Sequence, residues 1–245
     1  DWLIDTGSAR DFRPTVAAVL HQHAGVTHLD GAILTHADAA HIGGTSEVIA
    51  SFRPDLIRPP LANNSSSSYR SLAARLDAGD QRTITPARDE AIRIGDGCTI
   101  TTLYQPDGDR RPRLSDDACS VFLLESRGWR ILFTGDAGFD TERILLATER
   151  ENLRADLIVR GSHSSDYSST PDFLAAVQPA ATIVNARNFE DDDTGEQAWR
   201  DAMDQAGVVL FDQELNGAIS IRIDAGQLSI SCFKSDQSLT LNRTR

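Results

Sequence analysis

The chain has 245 residues, of which 40% are hydrophobic and 24% charged, and its formal net charge is −12. This size and composition are those of a globular protein with one large core. No run approaches the roughly 20 apolar residues of a membrane span, and the negative charge argues against general attraction to nucleic acid, which depends on phosphate neutralisation. Cys98, Cys119 and Cys232 form no CxxC pair, so we predict three buried thiols rather than disulfides.

The first half of the chain alternates helical and strand-like patterns. Gly25 is expected to end the first helix, and a polar stretch at residues 63–68 is interpreted as an exposed loop. In chain order, the predicted elements are a helix over residues 16–23, a strand at 32–34, a helix through 48 and 49, a helix at 69–76, and strands at 92–94 and 98–103.

The sequence of the second half of the chain predicts a hairpin, followed by buried strands that alternate with helices. Short, continuously apolar strands are typical of a sheet that is covered on both faces. Asn-Gly at 216–217 and Asp-Ala-Gly at 224–226 indicate hairpin turns. The remaining predictions are hairpin strands at 119–124 and 129–133, strands at 157–159 and 182–184, and helices at 171–177 and 197–206. We therefore predict one α/β domain with mixed strands over residues 1–245, and interpret it as a fragment of a longer chain because Asp1 opens inside a strand-like segment.

Three potential metal ligands lie within six residues, directly after a predicted strand. His36, Asp38 and His41 precede Gly43-Gly44 and a helical segment. A strand end followed by a tight loop lets such side chains converge on one point, and imidazole with carboxylate suits zinc, manganese or iron. Asp38 could instead cap the following helix, and Asp136, after Thr-Gly, could be a turn residue. His21, His23 and His28 lack a partner motif and are interpreted as surface residues.

The ordered motifs resemble the metallo-β-lactamase superfamily, and more narrowly the C-terminal hydrolase-like domain of ComEC-type DNA-uptake proteins. The narrower resemblance is carried by Asp38, where most of the superfamily has His. Its other marks are Ser120-Val121, residues 156–159 leading to Ser162-His163-Ser164-Ser165, residues 168–179, Asn188, and Gly217-Ala218-Ile219. The superfamily resemblance rests on Asp5-Thr6-Gly7, Thr35-His36-X-Asp38-X-X-His41-X-Gly43-Gly44, residues 132–136 (Leu-Phe-Thr-Gly-Asp), and the Ser/His cluster at 162–165. The resemblance implies a four-layer αβ/βα sandwich of two mixed sheets with helices outside.

The same resemblance implies a divalent metal site for zinc or manganese. One half-site would use His36, Asp38 and Asp136, and the other His41, Asp136 and His163, with Asp38 and Asp136 as the catalytic carboxylates. Such a site lowers the pKa of a bound water, and the resulting hydroxide attacks a phosphodiester. The resemblance also implies that Asp5 fixes the loop backbone. It brings Asp116, Asp117 and Ser120 towards the cleft, although a solvated turn is the alternative for these three.

The sequence departs from the family pattern at three places. Ala40 replaces an Asp, Ser162 replaces a His in a gap-free alignment, and the acidic run 190–193 replaces a segment that contains a His. Two functions therefore stay open. One is a metal-dependent phosphodiester hydrolase acting on DNA during uptake, and the other is a non-catalytic domain of the same fold with a scaffolding or ligand-binding role. A β-lactamase or thioester hydrolase is disfavoured by Asp38 and by the context of Ser120.

The resemblance also leads to expectations about partners and location. DNA or another phosphodiester would be the substrate, and an upstream membrane channel would belong to the same chain. This domain would then lie on the extracytoplasmic side of a bacterial inner membrane. The charge of −12 predicts weak DNA binding by the isolated domain.

Overall fold

The computed structural model describes residues 1–60, 66–79, 81–85, 90–106, 116–161, 168–185 and 193–243. The strands are β1 (Trp2–Ile4), β2 (Gly31–Ile33), β3 (Ile57–Arg58), β4 (Ala91–Gly95), β5 (Cys98–Tyr104), β6 (Val121–Ser126), β7 (Trp129–Gly135), β8 (Leu157–Arg160), β9 (Ala181–Val184), β10 (Val209–Asp212), β11 (Ile219–Asp224), β12 (Gln227–Cys232) and β13 (Ser238–Asn242). The α-helices are α1 (Ala39–Ile42), α2 (Thr45–Phe52), α3 (Ser67–Asp77), α4 (Phe139–Thr148), α5 (Pro171–Val177), α6 (Asp193–Gln205) and α7 (Gln213–Asn216).

The described strands form three sheets. A parallel sheet has the order β1-β2-β3, and a mixed seven-stranded sheet has the order β10-β9-β8-β7-β6-β5-β4. The third sheet is antiparallel, in the order β11-β12-β13. The β6–β7 hairpin turns through Arg127 and Gly128, which both have positive φ, as a two-residue turn that matches strand twist requires.

The two small sheets lie side by side against one face of the seven-stranded sheet. Ile33 of β2 packs with Phe122 of β6, and Leu228 of β12 packs with Ile131 of β7. The opposite face of the large sheet is covered by α4, α5 and α6, and α2 and α3 cover the outer face of the β1–β3 sheet. The predicted four-layer sandwich is therefore confirmed, with the difference that two small sheets together make the second sheet layer.

Most predicted elements are present, and the differences have local causes. The hairpin turn predicted at 216–217 was wrong: Gly217, with φ of 68°, ends α7 and leads the chain into another sheet. The turn predicted at 224–226 does join β11 to β12. The first predicted helix consists of two π-helical segments, Arg13–Ala17 and Val19–His23, and Gly25 (φ 66°) follows it.

The thiol prediction was right for one cysteine. Cys119 is buried, whereas Cys98 and Cys232 are half-buried, and all three are free. Within the described residues, no helix is both long and apolar enough to span a membrane.

Candidate metal centre

His36 lies just beyond the end of β2 and its side chain is only 1% exposed. Its Nδ1 is 3.4 Å from Asp38 Oδ2 and 3.9 Å from Asp136 Oδ2. The ring centroids of His36 and His41 are 5.0 Å apart. The parallel sheet thus delivers a buried imidazole to a point where two carboxylates and a second imidazole meet.

Asp38 both caps a helix and faces the candidate site. Its Oδ1 accepts hydrogen bonds from the backbone N–H groups of Ala40 and His41, at 2.8 and 3.0 Å, at the start of α1. The same oxygen is 2.8 Å from His41 Nδ1, while Oδ2 faces His36. The cap and the ligand role are therefore compatible, because the two carboxylate oxygens face different partners.

Asp136 comes from the other sheet, immediately after β7. Its Oδ2 is 3.3 Å from His41 Nε2, and its side chain is 8% exposed. Gly161 lies directly behind it, donating a backbone hydrogen bond to Gly135 at 2.8 Å. A Cβ at position 161 would overlap Asp136 Oδ1. The absence of a side chain at 161 therefore allows Asp136 to take this position.

The support beneath the site is made by Asp5 and Thr35. The Asp5 carboxylate accepts hydrogen bonds from the Thr35 backbone N–H at 2.7 Å and from Thr35 Oγ1 at 2.6 Å. The backbone N–H of Ser120 donates to the Thr35 carbonyl at 2.8 Å, which ties the start of β6 to the segment that carries His36. As expected from the sequence, Asp5 fixes loop backbone next to the site.

The electrostatics of the cluster balance negative carboxylates against His41. Burial disfavours a charged His41, but its hydrogen bonds to Asp136 and Asp38, with Asp5 nearby, raise the pKa of His41 to about 11. Burial also opposes ionisation of Asp38, yet the hydrogen bond and charge of His41 and the charge of His36 lower the pKa of Asp38 to about 2. Burial raises the pKa of Asp5. Without a cation, a proton on His41 would therefore offset part of the negative charge of the carboxylates.

The donor set fits a divalent cation. One ligand atom from each of the four residues lies within 4.8 Å of every other; they are His36, Asp38, His41 and Asp136. Two imidazoles and two carboxylates suit zinc or manganese. His163 and Ser162 lie outside the described residues, so the sequence-based ligand role of His163 stays a prediction.

Other predicted candidates have structural partners or lie elsewhere. Asp117 is buried and its Oδ1 accepts from Gly138 N–H and Thr141 Oγ1, which fixes the start of α4. The solvated-turn alternative is wrong for Asp116, Asp117 and Ser120, since all three are buried. His21, His23 and His28 are exposed, and His28 Nε2 is 3.2 Å from Asp55 Oδ2. Sequence reasoning missed Gly161, whose role depends on a neighbouring strand.

These features define a metallo-β-lactamase-type domain: a four-layer sandwich whose strand ends bring His and Asp ligands together. The chain belongs to the beta-lactamase superfamily domain family, whose profile matches residues 2–187.

Two curated proteins are similar to this chain. The chain is 26% identical over 171 residues to ComE operon protein 3 of Bacillus subtilis (strain 168), covering 66% of this chain and 20% of that protein. It is 23% identical over 224 residues to competence protein ComA of Neisseria gonorrhoeae, covering 91% and 29% respectively. The chain thus spans less than a third of either relative.

A solved structure supports the fold. Zn²⁺-bound PqqB from Methylobacterium extorquens superposes with a TM-score of 0.54 at 14% identity, covering 86% of this chain and 81% of PqqB. At this identity the likeness establishes the architecture alone.

Proposed function

We propose that this chain is a metal-dependent hydrolase-like domain of the ComEC type that acts on phosphodiester bonds of DNA during uptake. The observation that carries the proposal is the convergence of four ligand atoms within 4.8 Å at the ends of strands from two sheets. The competence relatives support DNA as the substrate class, and the family supports hydrolysis.

The four candidate ligands differ in burial, and we assign their roles from that difference. His36 and Asp136, both nearly buried, would hold the cation rigidly, and His41 and Asp38 would complete its ligands. When bound, a divalent cation supplies Lewis acidity, which acidifies water and polarises the leaving oxygen. The side chain of Asp38 is 32% exposed, against 8% for Asp136, so Asp38 is the carboxylate placed to orient an attacking water by accepting a hydrogen bond from it.

A non-catalytic role is the second candidate, and Ala40 favours it. Ala40 is exposed on α1 beside His41, at the position where the resemblance expects a carboxylate. Loss of that carboxylate removes one ligand from the half-site of His41, and a domain so altered would keep its fold for scaffolding or ligand binding.

Metal content and hydrolysis of single-stranded DNA, measured on the wild type and on Ala40→Asp, decide between the two. The proposal expects at least about one equivalent of Mn or Zn and measurable cleavage in the wild type. Ala39→Asp is the matched control, since it adds the same charge one residue earlier on α1. Less than about one equivalent with no cleavage would refute the hydrolase. A gain of both only in Ala40→Asp would identify a depleted enzyme.

We also propose that the domain is part of a longer membrane protein with a DNA channel, and that it lies on the extracytoplasmic side. Isolated, it should bind DNA weakly because its charge is −12. Titration of a labelled oligonucleotide at low salt, with and without Mn²⁺, tests this. Tight binding without metal would contradict it.

A further inference from the structure

Arg58 is a buried cation at the end of β3. Its relative exposure is 0%, and within the described part of the chain Nε, Nη1 and Nη2 have no hydrogen-bond partner. Its Cζ lies 4.7 Å from the centroid of the Phe122 ring. Burial lowers the pKa of Arg58 to about 10, which still leaves the guanidinium charged at neutral pH. No carboxylate among the described residues forms an ion pair with it.

Two hydroxyl groups lie on the face of the large sheet that carries Phe122. Thr102 pairs with Phe122 across β5 and β6, and Ser120 precedes Phe122 by two residues on the same face. Thr102 Oγ1 and Ser120 Oγ are buried and have no hydrogen-bond partner among the described residues. We refer to Arg58, Thr102 and Ser120 as the Arg58 cluster.

The register directs Arg58 towards this cluster. Arg58 pairs with Ile33, so the two side chains lie on the same face of the parallel sheet, and Ile33 packs with Phe122 between the sheets. Gln105, three residues after Thr102 in the chain, is partly exposed, so the surface lies close to this end of β5. The Arg58 cluster also adjoins the metal centre, because Ser120 N–H donates to the carbonyl of Thr35, the neighbour of His36.

A buried charge with no counter-ion is unfavourable, as are buried hydroxyls without hydrogen bonds. A guanidinium fork matches the geometry of phosphate oxygens, and hydroxyl groups add donors to the same ligand. We propose that the Arg58 cluster binds a phosphate group, supplied by a nucleic acid beside the metal centre or by free phosphate. The choice of phosphate over other anions rests on the proposed phosphodiester function.

Phosphate binding is measured on the metal-free chain, after chelation, by calorimetry and by the shift in Tm on replacing chloride with inorganic phosphate at constant ionic strength. The wild type and Arg222→Met should bind phosphate alike. Arg222 is the matched control because it lies exposed on β11 and its replacement removes the same charge. Arg58→Met should bind at least about tenfold more weakly, since a charged, multidentate contact is lost.

Arg58→Lys and Thr102→Val keep the test valid if Arg58→Met does not fold. Lysine keeps the charge without the fork, and valine removes only a hydroxyl, so each should weaken phosphate binding while preserving the fold. A wild type without a phosphate-dependent shift, or an Arg58→Met that binds as well as the wild type, would overturn the proposal and leave water as the partner of Arg58.

A second arm separates the two sources of phosphate. With metal restored, Arg58→Met should raise KM for a single-stranded oligonucleotide with little change in kcat if the substrate supplies the group. Unchanged kinetics with lost phosphate binding would assign the site to free phosphate. If the chain binds phosphate but cleaves nothing, this inference stands and the proposed hydrolase activity is refuted. If the chain cleaves DNA but does not bind phosphate, the hydrolase stands and this inference is refuted.

Discussion

Two polar clusters lie at neighbouring strand ends, and they differ in how their charges are balanced. In the metal centre both ring nitrogens of His41 meet carboxylates, Asp38 at 2.8 Å and Asp136 at 3.3 Å. In the Arg58 cluster a buried guanidinium lies against the face of Phe122, and neither it nor the hydroxyls of Thr102 and Ser120 have a hydrogen-bond partner among the described residues.

The difference indicates what each cluster would accept. In the candidate metal centre a proton on His41 offsets part of the carboxylate charge, so a cation would enter by displacing that proton. The Arg58 cluster has positive charge and donors in excess, so only an anion or water can complete it. The chain thus places a candidate cation site and a candidate anion site side by side, as a bound phosphodiester would require.

The largest expected effect is the loss of metal binding and DNA cleavage when Gly161 is replaced. Gly161→Ala adds a Cβ that overlaps Asp136 Oδ1, so the carboxylate must move. Misplacement by about 1 Å lowers catalysis by roughly 100-fold, and metal content should fall with it. Metal analysis and DNA cleavage measure both. Gly95→Ala is the control because its Cβ would meet nothing nearer than Cys98 Cβ at 3.6 Å. Equal loss in both variants would contradict the steric explanation.

The next largest effect is expected in the Arg58 cluster. Arg58→Met removes an uncompensated buried charge, so the free energy of unfolding in phosphate-free buffer should rise by about 1–4 kcal/mol. Lost contact with the Phe122 ring opposes this gain. Urea unfolding measures it, with Arg222→Met expected within about 0.5 kcal/mol of the wild type. A marked loss of stability in Arg58→Met would mean that Arg58 has compensating partners.

Asp5→Ala tests the support beneath the metal centre. It leaves the buried N–H and hydroxyl of Thr35 without an acceptor, so unfolding free energy should fall by about 1–3 kcal/mol. Asp5→Asn retains an acceptor oxygen and tolerates the positive φ of 55°, so it should lose less. Equal losses, read from urea midpoints, would show that the charge of Asp5 matters more than its hydrogen bonds.

The last prediction concerns the pH dependence of the stability of the metal-free protein. The raised pKa of His41 contributes stability that is complete below 6.5 and is lost as pH rises towards 11. The lowered pKa of Asp38 contributes stability that is complete above 3.8 and is lost as pH falls towards 2. With metal removed by a chelator, the free energy of unfolding should therefore be greatest between about pH 3.8 and 6.5. His41→Gln should make its fall at higher pH smaller. Stability that increases from pH 7 to 9 would contradict the assignment.

The sequence predicted those parts of the fold whose signals are local. The apolar strands of the large sheet and helix Pro171–Val177 follow from periodicity and composition, and the described structure contains them. The Asn216-Gly217 signal failed because a positive φ at glycine serves a helix end as well as a hairpin. Whether Gly217 ends a helix or forms a hairpin turn depends on the strand with which the following residues pair, and that is a tertiary contact.

By itself, the sequence determined which residue types stand at strand ends, since His36, Asp38, His41 and Asp136 occupy spacings that the superfamily shares. The tertiary structure alone decided which groups lie behind or beside them. Gly161 matters because of a carboxylate on another strand, and Arg58 because two sheets enclose it without a counter-ion. Steric fit and charge balance depend on neighbours that are distant in the chain, and the packing of the sheets brings those neighbours together.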